Sequence, residues 1–130
     1  MSFFRKLSAV LLLGLTFTAP AMAQPIQPFS TATLKAAQAK GQAVLVDAYA
    51  SWCPTCRKQE PVIDAITKDP AFDKLLVLRL DYDTQNAEKR DLGIVQQSTL
   101  IAFDGNKETG RLVGVTDAEQ IKALARSALH

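Results

Sequence analysis

From Ala43 to Ala50 the chain runs Ala-Val-Leu-Val-Asp-Ala-Tyr-Ala, almost unbroken in apolar residues. That is the pattern of a strand covered on both faces. Its single charge, Asp47, is therefore conspicuous. A second apolar run, Leu75 to Leu80, predicts another buried strand. Thr99–Phe103 and Arg111–Val115 flank the turn residues Asp104-Gly105-Asn106 and predict a hairpin. Helical spacing appears four times. Ser30 or Thr31 can cap a helix that runs through Leu34 and Ala37 to Lys40 and stops at Gly41. After Trp52-Cys53-Pro54-Thr55-Cys56, Pro54 suits a first helical turn and Val62, Ile63 and Ile66 supply an apolar face, with a kink expected at Pro61 and a stop at Asp69-Pro70. Thr84 can cap a polar helix ending near Gly93. Thr116-Asp117-Ala118-Glu119 has the form of a capping box before Ile121, Leu124, Ala125 and Leu129.

The order helix, strand, helix, strand, helix, strand, strand, helix predicts one α/β domain with a mixed sheet. Residues Gln24 to Phe29, with Pro25 and Pro28, read as an extended lead-in to it. The preceding segment has a different character: Arg5 and Lys6, an apolar run from Leu7 to Phe17, and Ala21-Met22-Ala23. This is the layout of a secretory signal peptide, so residues 1–23 are expected to be a leader cleaved after Ala23 and 24–130 the exported domain. The alternative is an uncleaved signal that anchors the domain on the periplasmic side of a membrane.

Composition supports a globular exported domain. Of 130 residues, 48% are hydrophobic, enough for an ordinary core. The net charge of +2 resides in the leader: without Arg5 and Lys6, the 15 basic residues become 13, against 13 acidic ones. Nothing in that balance recommends a nucleic-acid partner. Both cysteines lie in the exported part, where their redox state matters.

A cysteine between a buried strand and a helix start has unpaired N–H groups and the positive end of the helix dipole beside it. In such positions thiol pKa values fall from about 8.5 to between about 3.5 and 7.5. Cys53 is therefore the expected nucleophile, and the more exposed of the two. Cys56, three residues later on the same helical face, can resolve the mixed disulfide. A purely structural bridge would close too small a loop to constrain much of the unfolded chain. A zinc site needs further His or Cys ligands, and the only histidine is the terminal His130, so no metal or other cofactor is expected.

With Val44-Leu45-Val46-Asp47 ahead of Trp52-Cys53-Pro54-Thr55-Cys56, the stretch from Ala43 to Leu129 resembles the thioredoxin family. The resemblance implies the thioredoxin fold, a central mixed β-sheet flanked by helices, and a protein-disulfide oxidoreductase whose redox disulfide joins Cys53 and Cys56. By the same resemblance Asp47 takes the proton from Cys56. Burial in an apolar strand should raise its pKa toward neutrality, whereas pairing with Arg79 would oppose that rise. Trp52, Pro54, Thr55, Ser98 and Thr99 are the implied substrate-binding residues. Tyr49 and Phe103 are expected in the core, and Arg57 and Lys58 on a solvated helix face.

Ser98 stands where the family usually has a cis-proline before threonine. A non-proline cis bond costs about 2.5–4 kcal/mol, so Gln97–Ser98 is expected to be trans or strained. Its N–H and hydroxyl are expected close to the sulfurs, where they would stabilise a Cys53 thiolate and tune substrate range.

The Pro-Thr dipeptide resembles that of the cytochrome c maturation reductants. Asp69-Pro70 and Phe103-Asp104-Gly105 are similar to a domain of the membrane electron transporter that feeds periplasmic reductants. A monomeric periplasmic reductant is thus expected, acting on protein disulfides or dithiols and recharged by a membrane electron donor. Residues 24–130 leave no room for the helical insertion of the periplasmic oxidase or the dimerisation domain of the isomerase. Two other functions fit the same residues: an iron-sulfur or metal-binding module with ligands from a second chain, and a non-catalytic binding protein using Trp52.

Overall fold

The computed structural model describes residues 24–130, together with Gly14 and Thr18; the expected leader and its cleavage site otherwise lie outside the described residues. Five strands form one sheet: β1 (Gln27–Pro28), β2 (Ala43–Tyr49), β3 (Leu75–Asp81), β4 (Thr99–Asp104) and β5 (Lys107–Val113). Their order across the sheet is β1-β3-β2-β4-β5. β3 runs parallel to both β1 and β2, whereas β4 is antiparallel to β2 and β5. Four helices complete the domain, α1 (Thr31–Ala39), α2 (Pro54–Lys68), α3 (Asn86–Asp91) and α4 (Ala118–Ser127).

Strand alternation divides the core into two layers. Ala43 and Leu45 of β2 pack with Ile63 and Ile66 of α2 and Ile121, Leu124 and Ala125 of α4. Val44, Val46 and Ala48 face the opposite way, toward Leu34 and Ala37 of α1, Ile94 and Phe103. Asp47 shares the parity of Leu45, so its side chain faces the layer that contains α2, the helix bearing both cysteines.

Helix ends follow local chemistry. The Ser30 hydroxyl accepts from the Thr33 N–H, and Gly41, at φ 66°, follows the end of α1. Asp69 ends α2 and accepts from the Ala71 N–H in the short 3₁₀ turn that follows. α2 continues through Pro61 as one element.

Three boundaries differ from the sequence-based expectation. α3 is preceded by Gln85, with no side-chain cap from Thr84; the Gln85 amide instead accepts from the Asp81 N–H and donates to the Phe29 carbonyl. The cap of α4 is Asp117, which accepts from the Gln120 N–H, so the box sits one residue later than Thr116 and the helix ends before Leu129. β5 begins at Lys107, because Gly105 (φ 55°) and Asn106 reverse the chain in two residues. As a solvent-facing edge strand β5 needs no apolar run, which is why its first half was hidden. The lead-in also contributes to the sheet: β1 adds Gln27–Pro28, an edge position that tolerates proline.

Candidate functional site

The site forms where β2 ends and α2 begins. Cys53 is the N-cap of α2, and the Cys56 N–H donates to its Sγ at 3.0 Å. The sulfur thus meets the unpaired N–H groups of the first turn. Both residues are free thiols and both are buried, at 1% exposure each. Cys53 is therefore not the more exposed of the pair. Ala50 and the rings of Tyr49 and Tyr82 pack around both cysteines. Burial, followed by hydrogen bonding to Cys53, pushes the Cys56 thiol up to about 11, against weaker opposing effects from backbone groups of Ala50 and Ser98. Its Sγ lies 3.9 Å from the Ala48 carbonyl oxygen.

Asp47 is 1% exposed. Its register partner on β3 is Arg79, whose Nε donates to Asp47 Oδ2 at 3.0 Å. The same guanidinium reaches Glu60 Oε1 on α2 at 3.2 Å and lies over the Tyr49 ring at 4.2 Å. Desolvation and the Arg79 cation oppose one another at Asp47, and desolvation wins: the carboxyl rises to about 6. Asp47 Oδ1 is buried without a hydrogen-bond partner, which leaves one oxygen uncommitted. The charges of Glu60 and Asp64 on α2 also act on Asp47.

Trp52 is 54% exposed and is a surface residue. Its Nε1 donates to both carboxylate oxygens of Asp83 at 3.0 Å, which fixes the indole at the rim of the site. Pro54 is exposed on the first turn of α2 and Thr55 is half-buried. Arg57 and Lys58 are exposed, Phe103 is in the core, and Tyr49 is half-buried against the cysteines.

The Gln97–Ser98 peptide is trans, and Ser98 occupies the left-handed region at φ 59°, the one described non-glycine residue with positive φ. Its donors do not serve Cys53. The Ser98 N–H donates to the Ala48 carbonyl at 2.9 Å and the hydroxyl turns back onto the Gln97 carbonyl. Thr99, buried at the start of β4, donates its hydroxyl to the Gln96 carbonyl. The Ser98 N–H and hydroxyl are thus both committed to backbone carbonyls, and the Ser98 backbone acts on the Cys56 sulfur.

Three contributors were missed in the sequence. Asp83 sits in an irregular turn with no periodic signal. Tyr82 donates to the Val95 carbonyl across the site, and nothing in its local sequence marks that. Gln59 did leave a trace: it occupies the buried stripe Cys56, Gln59, Ile63, Ile66, where an apolar residue would be expected. Among the described residues no group of three or more His, Cys, Asp or Glu is placed to hold a metal ion. His130 pairs with Asp104 at 2.9 Å, at the far end of β2 from the cysteines.

A five-stranded mixed sheet with four helices, an N-capping cysteine, a second buried cysteine three residues on and a buried carboxylate defines a thiol-disulfide oxidoreductase. Comparison with known proteins agrees. The thioredoxin family model matches residues 26–127, and the chain belongs to the thioredoxin family. It is 34% identical over 87 residues to thioredoxin of Alicyclobacillus acidocaldarius subsp. acidocaldarius, covering 67% of this chain and 82% of that one. It is 39% identical over 71 residues to thioredoxin of Mycobacterium bovis, covering 55% and 60%. Among solved structures, Trxlp from Edwardsiella tarda EIB202 superposes with a TM-score of 0.73 at 38% identity, over 77% of this chain and 98% of that one. Malassezia sympodialis thioredoxin gives 0.71 at 27% identity, over 80% and 93%.

Proposed function

We propose that the chain is an exported reductant of protein disulfides, acting in the periplasm and recharged by a membrane electron donor. Arg5, Lys6, the apolar run to Phe17 and Ala21-Met22-Ala23 support export. Family membership supports protein disulfides as substrates. The exposed Trp52 beside Cys53 gives such a substrate an apolar surface to dock on.

In this mechanism Cys53 Sγ attacks one sulfur of the substrate disulfide, breaking the S–S bond and releasing the other sulfur as a thiolate. A mixed disulfide results. Cys56 then gives its proton to Asp47 and attacks Cys53 Sγ, which expels the second substrate sulfur. The substrate gains two electrons and ends as two thiols, while Cys53 and Cys56 end as a disulfide. The observation that carries this division of labour is the asymmetry of the pair. Cys53 accepts a hydrogen bond at the helix start, whereas burial holds Cys56 protonated near neutral pH.

Iodoacetamide treatment of the reduced chain at pH 7, with peptide mapping, tests it. Cys53 should be modified first and Cys56 at least tenfold more slowly, because alkylation requires the thiolate. Preferential labelling of Cys56 would reverse the assignment.

A further inference from the structure

Gln59 has no exposed surface, and its amide nitrogen makes two hydrogen bonds that the exchange chemistry does not call for. Nε2 donates to the Ser98 carbonyl at 3.2 Å and to the Val115 carbonyl at 2.9 Å. The Gly114 N–H donates to the same Ser98 carbonyl at 3.0 Å, and the Ser98 N–H is held by the Ala48 carbonyl. One side chain thus joins α2, three residues past Cys56, to the loop opposite the cysteines and to the link between β5 and α4.

An amide is an expensive way to fill a core position. Burial strips its hydration, and Oε1 has no hydrogen-bond partner. An apolar side chain of similar volume would avoid that cost. What the amide supplies is a fixed geometry for Ser98. The residue is in the left-handed region, and no proline ring sets its φ. Its loop also lies beside the cysteine pair, since the Ala48 carbonyl that accepts the Ser98 N–H is 3.9 Å from Cys56 Sγ, and Val95, three residues before Ser98, is 82% exposed. That puts the loop within reach of a protein disulfide bound at the cysteine pair.

We propose that Gln59 is a positioning residue for protein-disulfide exchange, holding the Ser98 loop at a fixed height over the start of α2 so that a docked disulfide lines up with Cys53. It touches neither sulfur. The inference rests on the protein-disulfide activity proposed above, and its consequences separate from those of a general structural role. A loosened loop harms only substrates that dock on it, whereas a loosened domain harms every reaction of the thiols.

The test compares the full chain with Gln59→Met, which keeps the volume and removes both donors. Hydrogen exchange should accelerate about tenfold at the Ser98 and Gly114 amides and stay unchanged at Val77 and Leu78 in β3. With insulin as the protein disulfide and dithiothreitol as electron donor, KM should rise about tenfold with kcat within twofold. Reaction of the reduced chain with 5,5′-dithiobis(2-nitrobenzoate), which needs no docking, should not change. If Gln59→Met fails to fold, Gln59→Asn stays polar but is too short to bridge both carbonyls, and should give the same split. Unaltered exchange at Ser98 and Gly114, or insulin and small-disulfide rates falling together, would overturn the role. A wild-type chain inactive on insulin would instead overturn the protein-disulfide activity itself.

Discussion

Replacing Asp47 by asparagine is expected to slow resolution of the mixed disulfide by about 100-fold while leaving its formation nearly unchanged. The carboxyl, raised to about 6, is mostly ionised at pH 7, and in the proposed mechanism Oδ1, the oxygen that Arg79 leaves free, is the one that takes the Cys56 proton. Proton-transfer assistance is worth about 100-fold to 10,000-fold, and the Arg79 cation, by lowering the basicity of Asp47, places the effect at the low end. Rapid acid quenching followed by mass spectrometry would count the trapped intermediate. Resolution at the wild-type rate would make Asp47 a structural residue.

The same substitution carries a stability signature of known sign. Because the folded carboxyl titrates at about 6 and not at its ordinary 3.8, the folded state binds the proton more tightly than the unfolded state does. Wild-type stability should fall as pH rises from about 4 to 6, and the whole effect, about 3 kcal/mol, should be present above that window. Asp47→Asn should flatten this dependence and unfold at higher urea at pH 8. A more steeply pH-dependent variant would contradict the burial argument.

Ser98→Pro should destabilise the domain by about 2–4 kcal/mol, a fall in Tm on the order of 10 °C. Proline cannot adopt the positive φ of this position, and it removes the N–H that the Ala48 carbonyl accepts. Ser98→Gly should stay within about 1 kcal/mol of wild type, since relief of the left-handed cost offsets the added chain entropy. Calorimetry on both variants decides the matter. A proline variant as stable as wild type would show that neither the left-handed backbone nor the Ala48 bond holds the loop.

Elements whose burial is one-sided or complete were legible in the sequence, because apolar spacing records burial directly. β2, β3, α1 and α2 all announce themselves through Leu34, Val44 to Val46, Ile63 to Ile66 and Leu75 to Leu80. The cysteine pair was legible for a second reason, its place between a buried strand and a proline-led helix. Asp47 was conspicuous as a charge in an apolar run; its pairing with Arg79 was only one alternative in the sequence, and the parallel register that sets the two side by side decides it.

What stayed hidden depends on contacts far apart in the chain. Trp52 and Asp83 meet over 31 residues, and Gln59 and Val115 over 56, so no local pattern could show either bond. Part of the cover over Cys53 and Cys56 comes from Tyr82, which arrives from just past the end of β3. The orientation of the Ser98 donors was misjudged because composition says what a serine can donate but not which carbonyl is nearest. Ala48, on the neighbouring strand, accepts the Ser98 N–H, and the sulfur that the Ser98 backbone acts on is that of Cys56.

The reduction potential of the Cys53–Cys56 couple in the full chain, set by equilibration with dithiothreitol or glutathione redox buffers at pH 7, tests the proposed direction of electron flow most directly. A reductant should equilibrate near about −270 mV, where the Cys56 thiol, held protonated by burial, favours passing electrons on. A value near about −120 mV would mark the pair as an oxidant and contradict the proposed function.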